Sequence, residues 1–105
     1  MTIKSLGVIG SGAIAAPMLD ALARNIAQPI ERLSILTLPQ ALDGARELAG
    51  RCGARIARRT NIFTDGEAFL AEPFDFVVEC AGHAAVKAYA AKVLANGVDL
   101  LVVSI

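Results

Sequence analysis

Short aliphatic runs alternate along the chain with stretches whose apolar residues recur at helical spacing. Ile3 to Ile9 is the first run, a strand ending in Gly10-Ser11-Gly12. Ala13 to Ile26 follows, with Ile14, Met18, Leu19, Leu22 and Ile26 on one helical face. Pro17 lies one turn inside it and predicts a slight bend. Leu33 to Thr37 is a second strand. Pro39 stands where a helix can begin. Ala41 to Cys52 then places Leu42, Ala45, Leu48 and Ala49 on one face, with Gly53 as the stop. Ala54 to Thr60 has three arginines and only Ile56 as a large aliphatic, so it predicts a short edge strand at best.

Thr64-Asp65-Gly66-Glu67 has the spacing of a capping box, a hydroxyl three residues before a carboxylate. A short helix is expected from there to about Ala71, stopping before Pro73. Phe74 to Cys80 is the fourth strand. His83 to Ala95 is a helix with Val86, Ala90, Val93 and Leu94 inward, closed by Asn96-Gly97. Asp99 to Ile105 is the last strand. Strands alternating with helices imply βαβ units with right-handed crossovers and a parallel sheet. The expected fold is therefore α/β, a Rossmann-type doubly wound sheet of order 3-2-1-4-5, with its switch point between strands one and four. The chain stops inside the fifth strand, which leaves an aliphatic edge to be covered. The 105 residues are thus expected to form one domain, the N-terminal part of a longer two-domain polypeptide.

Composition narrows the function. Ten Lys+Arg balance ten Asp+Glu, so the net charge is zero, which argues against nucleic acid or an anionic membrane as the main partner. The four arginines between Arg51 and Arg59 have no aromatic neighbours interleaved and read as a solvated face. Hydrophobic residues make up 55%, enough for a core, yet no run approaches the ~20 residues that span a bilayer. Met1 to Ser5 has neither a signal-peptide cleavage pattern nor transit-peptide character, so a cytoplasmic protein is expected. Cys52 and Cys80 form neither CxxC nor a zinc spacing; reduced thiols and no metal site are expected.

The chemistry begins at Gly10-Ser11-Gly12-Ala13-Ile14-Ala15, the GxGxxA form of the dinucleotide fingerprint. Gly10 permits a tight turn out of the strand. Gly12 lets a pyrophosphate approach the backbone. Ala15 is small enough for the helix to pack close. The helix N-terminus offers free N–H groups to the phosphates. The alternative is a glycine turn that serves only helix packing. The acidic residue that normally ends strand two is missing: Leu36-Thr37-Leu38 occupies its place, and Asp43 lies within the next helix. Without it nothing repels a 2′-phosphate. Thr37 is placed to hydrogen-bond ribose or phosphate, and Arg46, Arg58 or Arg59 are the candidate phosphate partners if they are not simply solvated. The cofactor is expected to be NAD or NADP, with weak discrimination between them.

Cys80-Ala81-Gly82-His83 lies at the carboxyl end of strand four, beside the switch point. Ala81 and Gly82 allow the close approach of a nicotinamide ribose, or form a plain strand-to-helix turn. Cys80 has no base partner, which favours a buried structural thiol over a nucleophile. His83 caps its helix, contacts the cofactor or transfers protons. Glu79, near the end of a buried strand, needs a partner, either backbone N–H groups or a following domain, and the sequence does not say which.

Taken together, the glycine loop after Val8-Ile9, the run Val77-Val78-Glu79-Cys80-Ala81-Gly82-His83-Ala84-Ala85-Val86 and the ending Gly97-Val98-Asp99-Leu100-Leu101-Val102-Val103-Ser104 resemble the L-aspartate dehydrogenase family. The likeness covers the cofactor-domain half of such an enzyme. It implies NAD(P)-dependent oxidation of L-aspartate to iminosuccinate, or the reverse amination of oxaloacetate. It also implies a dicarboxylate amino-acid substrate, a role in NAD biosynthesis and a homodimer. The family's catalytic histidine belongs to the second domain, so no catalytic residue is assigned and His83 is not promoted in its place. Ala15 departs from the glycine of many relatives, which packing tolerates. The competing readings are a homoserine dehydrogenase or dihydrodipicolinate reductase-like cofactor domain, and a non-catalytic nucleotide or CoA-binding module.

Overall fold

The computed structural model describes residues 2–104, so Met1 and the expected strand residue Ile105 lie outside the described residues. Five parallel strands form one sheet: β1 (Ser5–Ile9), β2 (Ile30–Leu36), β3 (Ala57–Phe63), β4 (Phe76–Glu79) and β5 (Asp99–Val102). Their order is β3-β2-β1-β4-β5, the one expected of a Rossmann-type sheet. β1 is buried throughout and pairs on both sides, Val8 with Ile35 of β2 and with Val78 of β4.

Strand alternation divides the core into two layers, one on each face. Leu6, Val8, Leu33, Ile35 and Val78 meet α1 (Ala15–Asn25) through Ala15, Leu19 and Ala23, and α2 (Leu42–Leu48) through Leu48. Ile9, Leu36 and Val77 face the other way, onto Phe69 of α4 (Gly66–Leu70) and Val93 of α5 (His83–Ala95). Phe69 is fully buried, with the rings of Phe63 and Phe74 centred 6.0 and 4.8 Å away. No helix of the described residues is long and apolar enough to cross a membrane.

Several boundaries move from their expected places. β1 begins at Ser5 rather than Ile3, and β4 at Phe76 rather than Phe74. α1 starts two residues late, so Pro17 falls in its first turn, where proline is tolerated and no bend is required. Gly53 does not stop the second helical region. α2 runs on through a π-turn (Ala49–Gly53) into α3 (Ala54–Ile56), because Gly53 keeps a helical φ of −60°. The edge strand is therefore Ala57–Phe63, three residues later than expected and seven residues long. At α4 the capping residue is Asp65, not Thr64: its Oδ1 accepts from the Glu67 N–H at 3.1 Å. On α5, Val93 is buried but Leu94 points outward, 58% exposed. β5 ends at Val102, short of the expected Ile105.

Candidate functional site

A cavity of about 670 Å³ opens over the carboxyl ends of β1, β2 and β4. Its floor is the loop between β1 and α1, Gly10 to Ile14. The loop leaves the sheet sharply because Gly10 has φ 109°, a conformation that L side chains rarely adopt. Its N–H donates to the Leu36 carbonyl at 2.8 Å, which ties the loop to β2. A Cβ on Gly10 would also come within 3.1 Å of Ala81. The fold itself thus needs that glycine.

Gly12 differs. A Cβ added there would meet no protein atom within 4 Å. Tight helix packing therefore does not account for it; its missing side chain faces open space at the cavity floor. Packing does account for Ala15, which is fully buried against the sheet. No side chain caps α1, and its first turn holds no acidic residue. The N–H groups of Gly12, Ala13 and Ile14 accordingly have no protein acceptor among the described residues. Free amides and the positive end of a helix dipole converge on one open floor, a geometry that suits a diphosphate.

The β2 wall consists of Leu36, Thr37 and Leu38, with Ala41 and Gly44 beyond them. Thr37 is buried, and its Oγ1 lies 2.8 Å from Ser11 Oγ, so the two hydroxyls lock the loop to the end of β2. Leu38 and Ile14 are exposed apolar side chains on the cavity rim, 63% and 39% accessible. Among the described residues, no charged side chain lines the cavity. The arginines weighed as phosphate partners turn elsewhere. Arg46 faces Asp43 at 3.9 Å, Arg58 faces Glu31 at 3.4 Å, and Arg59 is exposed on β3. Arg51, in the same basic stretch, is bonded to Asp20 at 3.0 Å.

The opposite wall comes from the β4 turn and α5: Cys80, Ala81, Ala84, Ala85, Ala88 and Tyr89. Cys80 is 5% exposed, with Sγ 3.9 Å from Met18 Sδ. Burial, with help from the Glu79 charge, pushes its thiol up to about 11, so it stays protonated and a poor nucleophile near neutral pH. Gly82 and His83 adjoin this wall without lining it; Gly82 is the N-cap of α5 at φ 126°, and His83 is exposed as its first residue. Eight of the ten residues singled out from the sequence thus surround one cavity. Leu38, Thr64 and Tyr89 were missed. Leu38 and Thr64 just follow β2 and β3, so the rule that ligands gather at strand carboxyl ends is the signal that could have found them.

Known proteins resemble this chain in sequence and in fold. Residues 10–105 match the model of the homoserine dehydrogenase NAD binding domain family. An L-aspartate dehydrogenase 1 from Bordetella pertussis is 37% identical over 101 residues, 95% of this chain and 33% of that protein. An L-aspartate dehydrogenase from Methanospirillum hungatei is 40% identical over 63 residues, 60% of this chain and 23% of that protein. The chain spans about a third of the length of the Bordetella relative. Among solved structures, a lactate dehydrogenase from a Medee basin deep-sea metagenome library superposes with a TM-score of 0.63 at 18% identity, over 99% of this chain and 38% of that one. The 1-deoxy-D-xylulose 5-phosphate reductoisomerase of Zymomonas mobilis, solved with NADPH, gives 0.51 at 12% identity, over 98% of this chain and 39% of that one. Both likenesses support the fold alone.

Proposed function

The chain belongs to the homoserine dehydrogenase NAD-binding domain family, with NAD or NADP as its cofactor, and from that premise we propose that it is the cofactor-binding half of an L-aspartate dehydrogenase. The observation that carries the binding site is Gly12, a glycine with no packing reason to be one, set among unpartnered amides at the cavity floor. Gly10, Ser11, Gly12, Ala13 and Ile14 hold the diphosphate. Thr37 steadies the loop and faces the adenosine ribose. Cys80 and Ala81 form the wall on the nicotinamide side, with Gly82 and His83 behind it. The aspartate assignment rests on the Bordetella relative, which aligns with nearly the whole chain.

When bound, the nicotinamide supplies the hydride acceptor. This chain's residues orient it and keep water from one side, while the dicarboxylate and the protons are handled by a second domain in a longer polypeptide. An exposed apolar strip supports that arrangement: Leu101, Val102 and Val103 at the β5 edge are 50%, 45% and 37% accessible. The working assembly is a cytoplasmic homodimer that serves NAD biosynthesis.

With neither an acidic side chain after β2 nor an arginine in the cavity, both cofactors should bind. Calorimetry on the 105-residue chain is expected to give NAD and NADP affinities within about a hundredfold of each other. A larger preference for NAD would contradict this. The chain alone should form no NADPH from L-aspartate. The polypeptide that carries it should reduce NAD(P) with L-aspartate and not with L-homoserine; the opposite result would move the assignment to homoserine dehydrogenase, the reading that the family's own description favours.

A further inference from the structure

Glu79 is a buried carboxylate that the cavity wall does not include. It ends β4 and is 1% exposed. Its Oε2 accepts from the N–H groups of Ala81 and Gly82, both at 2.7 Å, and its Oε1 accepts from the Ser104 hydroxyl. Its main-chain carbonyl accepts from the Val103 N–H at 2.9 Å. Burial works to raise this carboxyl. The hydrogen bonds from Ser104, Gly82 and Ala81 outweigh burial and hold it below the usual glutamate range. Both oxygens are therefore committed. Oε2 grips the main chain of the β4 turn, the segment that packs closest to Gly10 and includes Gly82 at φ 126°, while Oε1 holds Ser104.

We propose that Glu79 is a positioning residue. Its carboxylate fixes the Ala81–Gly82 main chain against the diphosphate loop, with Ser104 as its anchor, and so shapes the wall that meets the dinucleotide half beyond the diphosphate. The inference rests on the cofactor reading above and extends it to one residue. The adenosine half lies over β2 and the second half over β4, because the site straddles the switch point between β1 and β4. Glu79 therefore acts on one half only.

The test compares NAD with ADP, which keeps the adenosine and diphosphate and lacks the second half. Calorimetry is run on the unaltered chain, Glu79→Ala and Glu79→Gln, with thermal unfolding alongside. Glu79→Ala is expected to weaken NAD by about tenfold and leave ADP within about twofold. Glu79→Gln keeps one oxygen for the two N–H groups and should lose about threefold for NAD, with ADP unchanged. If Glu79→Ala does not fold, Glu79→Gln decides on the same comparison. Equal losses for both ligands, or no loss for either, would overturn the proposal and leave Glu79 as a structural residue. An unaltered chain that binds neither ligand would overturn the cofactor reading itself.

Discussion

Gly10 and Gly12 stand two residues apart in one motif, yet they serve different masters. A methyl group at Gly10 is opposed by φ 109° and by Ala81 at 3.1 Å; a methyl group at Gly12 is opposed by nothing in the protein. Gly10→Ala should therefore destabilise the chain by about 1–3 kcal/mol. Gly12→Ala should leave the melting temperature unchanged or slightly raised, yet weaken NADP by about tenfold or more. Thermal unfolding and calorimetry on the two variants would separate them; a Gly12→Ala chain that binds normally would remove the reason for its glycine. The tight turn at Gly10 was legible in the sequence because the motif is local. The hydroxyl contact between Ser11 and Thr37 was not, because it spans 26 residues and depends on how β2 registers against β1. The same holds for Glu79 and Ser104, which meet only because β5 lies beside β4.

At the scale of elements, β4 is bracketed by two carboxylates. Asp75, just before it, accepts from the N–H groups of Lys4 and Ser5 at 2.8 and 3.0 Å; Glu79 closes its other end. The Asp75 carboxyl is held down by its bonds to the Lys4 and Ser5 amides, and Glu79 is also lowered. A carboxyl with a lowered folded value stabilises fully above its unfolded value, and that stability is lost as pH falls through the folded value. The melting temperature should therefore drop as pH goes below about 4. Asp75→Asn and Glu79→Gln should melt lower than the unaltered chain at pH 7, with a shallower decline between about pH 5 and pH 3. Unfolding curves across that range check it, and an unchanged decline in both variants would contradict it. The elements best read from sequence were those with a clear apolar face. β3 was misplaced because both of its arginines face solvent on an edge strand, so it lacks the alternation that marks a half-buried strand. The helix before it shows no break at Gly53, because a glycine within a π-turn can stay helical.

For the whole molecule, the parallel sheet followed from alternation and crossover handedness, and the strand order from reading it as a Rossmann-type doubly wound sheet. The apolar β5 edge was legible as well, in the aliphatic ending that the structure leaves partly exposed. Which residues share the cavity was legible only in part, since topology rather than sequence proximity brings Leu38, Thr64 and Tyr89 to the loop. The proposed function requires that the bare amides between β1 and α1 receive a dinucleotide diphosphate. Amide NMR of the isotopically labelled chain during an NADP titration tests it most directly. Saturable shifts are expected at Ser11, Gly12 and Ala13, joined by Ala81 across the cavity. Saturable binding that leaves those four amides unmoved, or no binding at all, would contradict it.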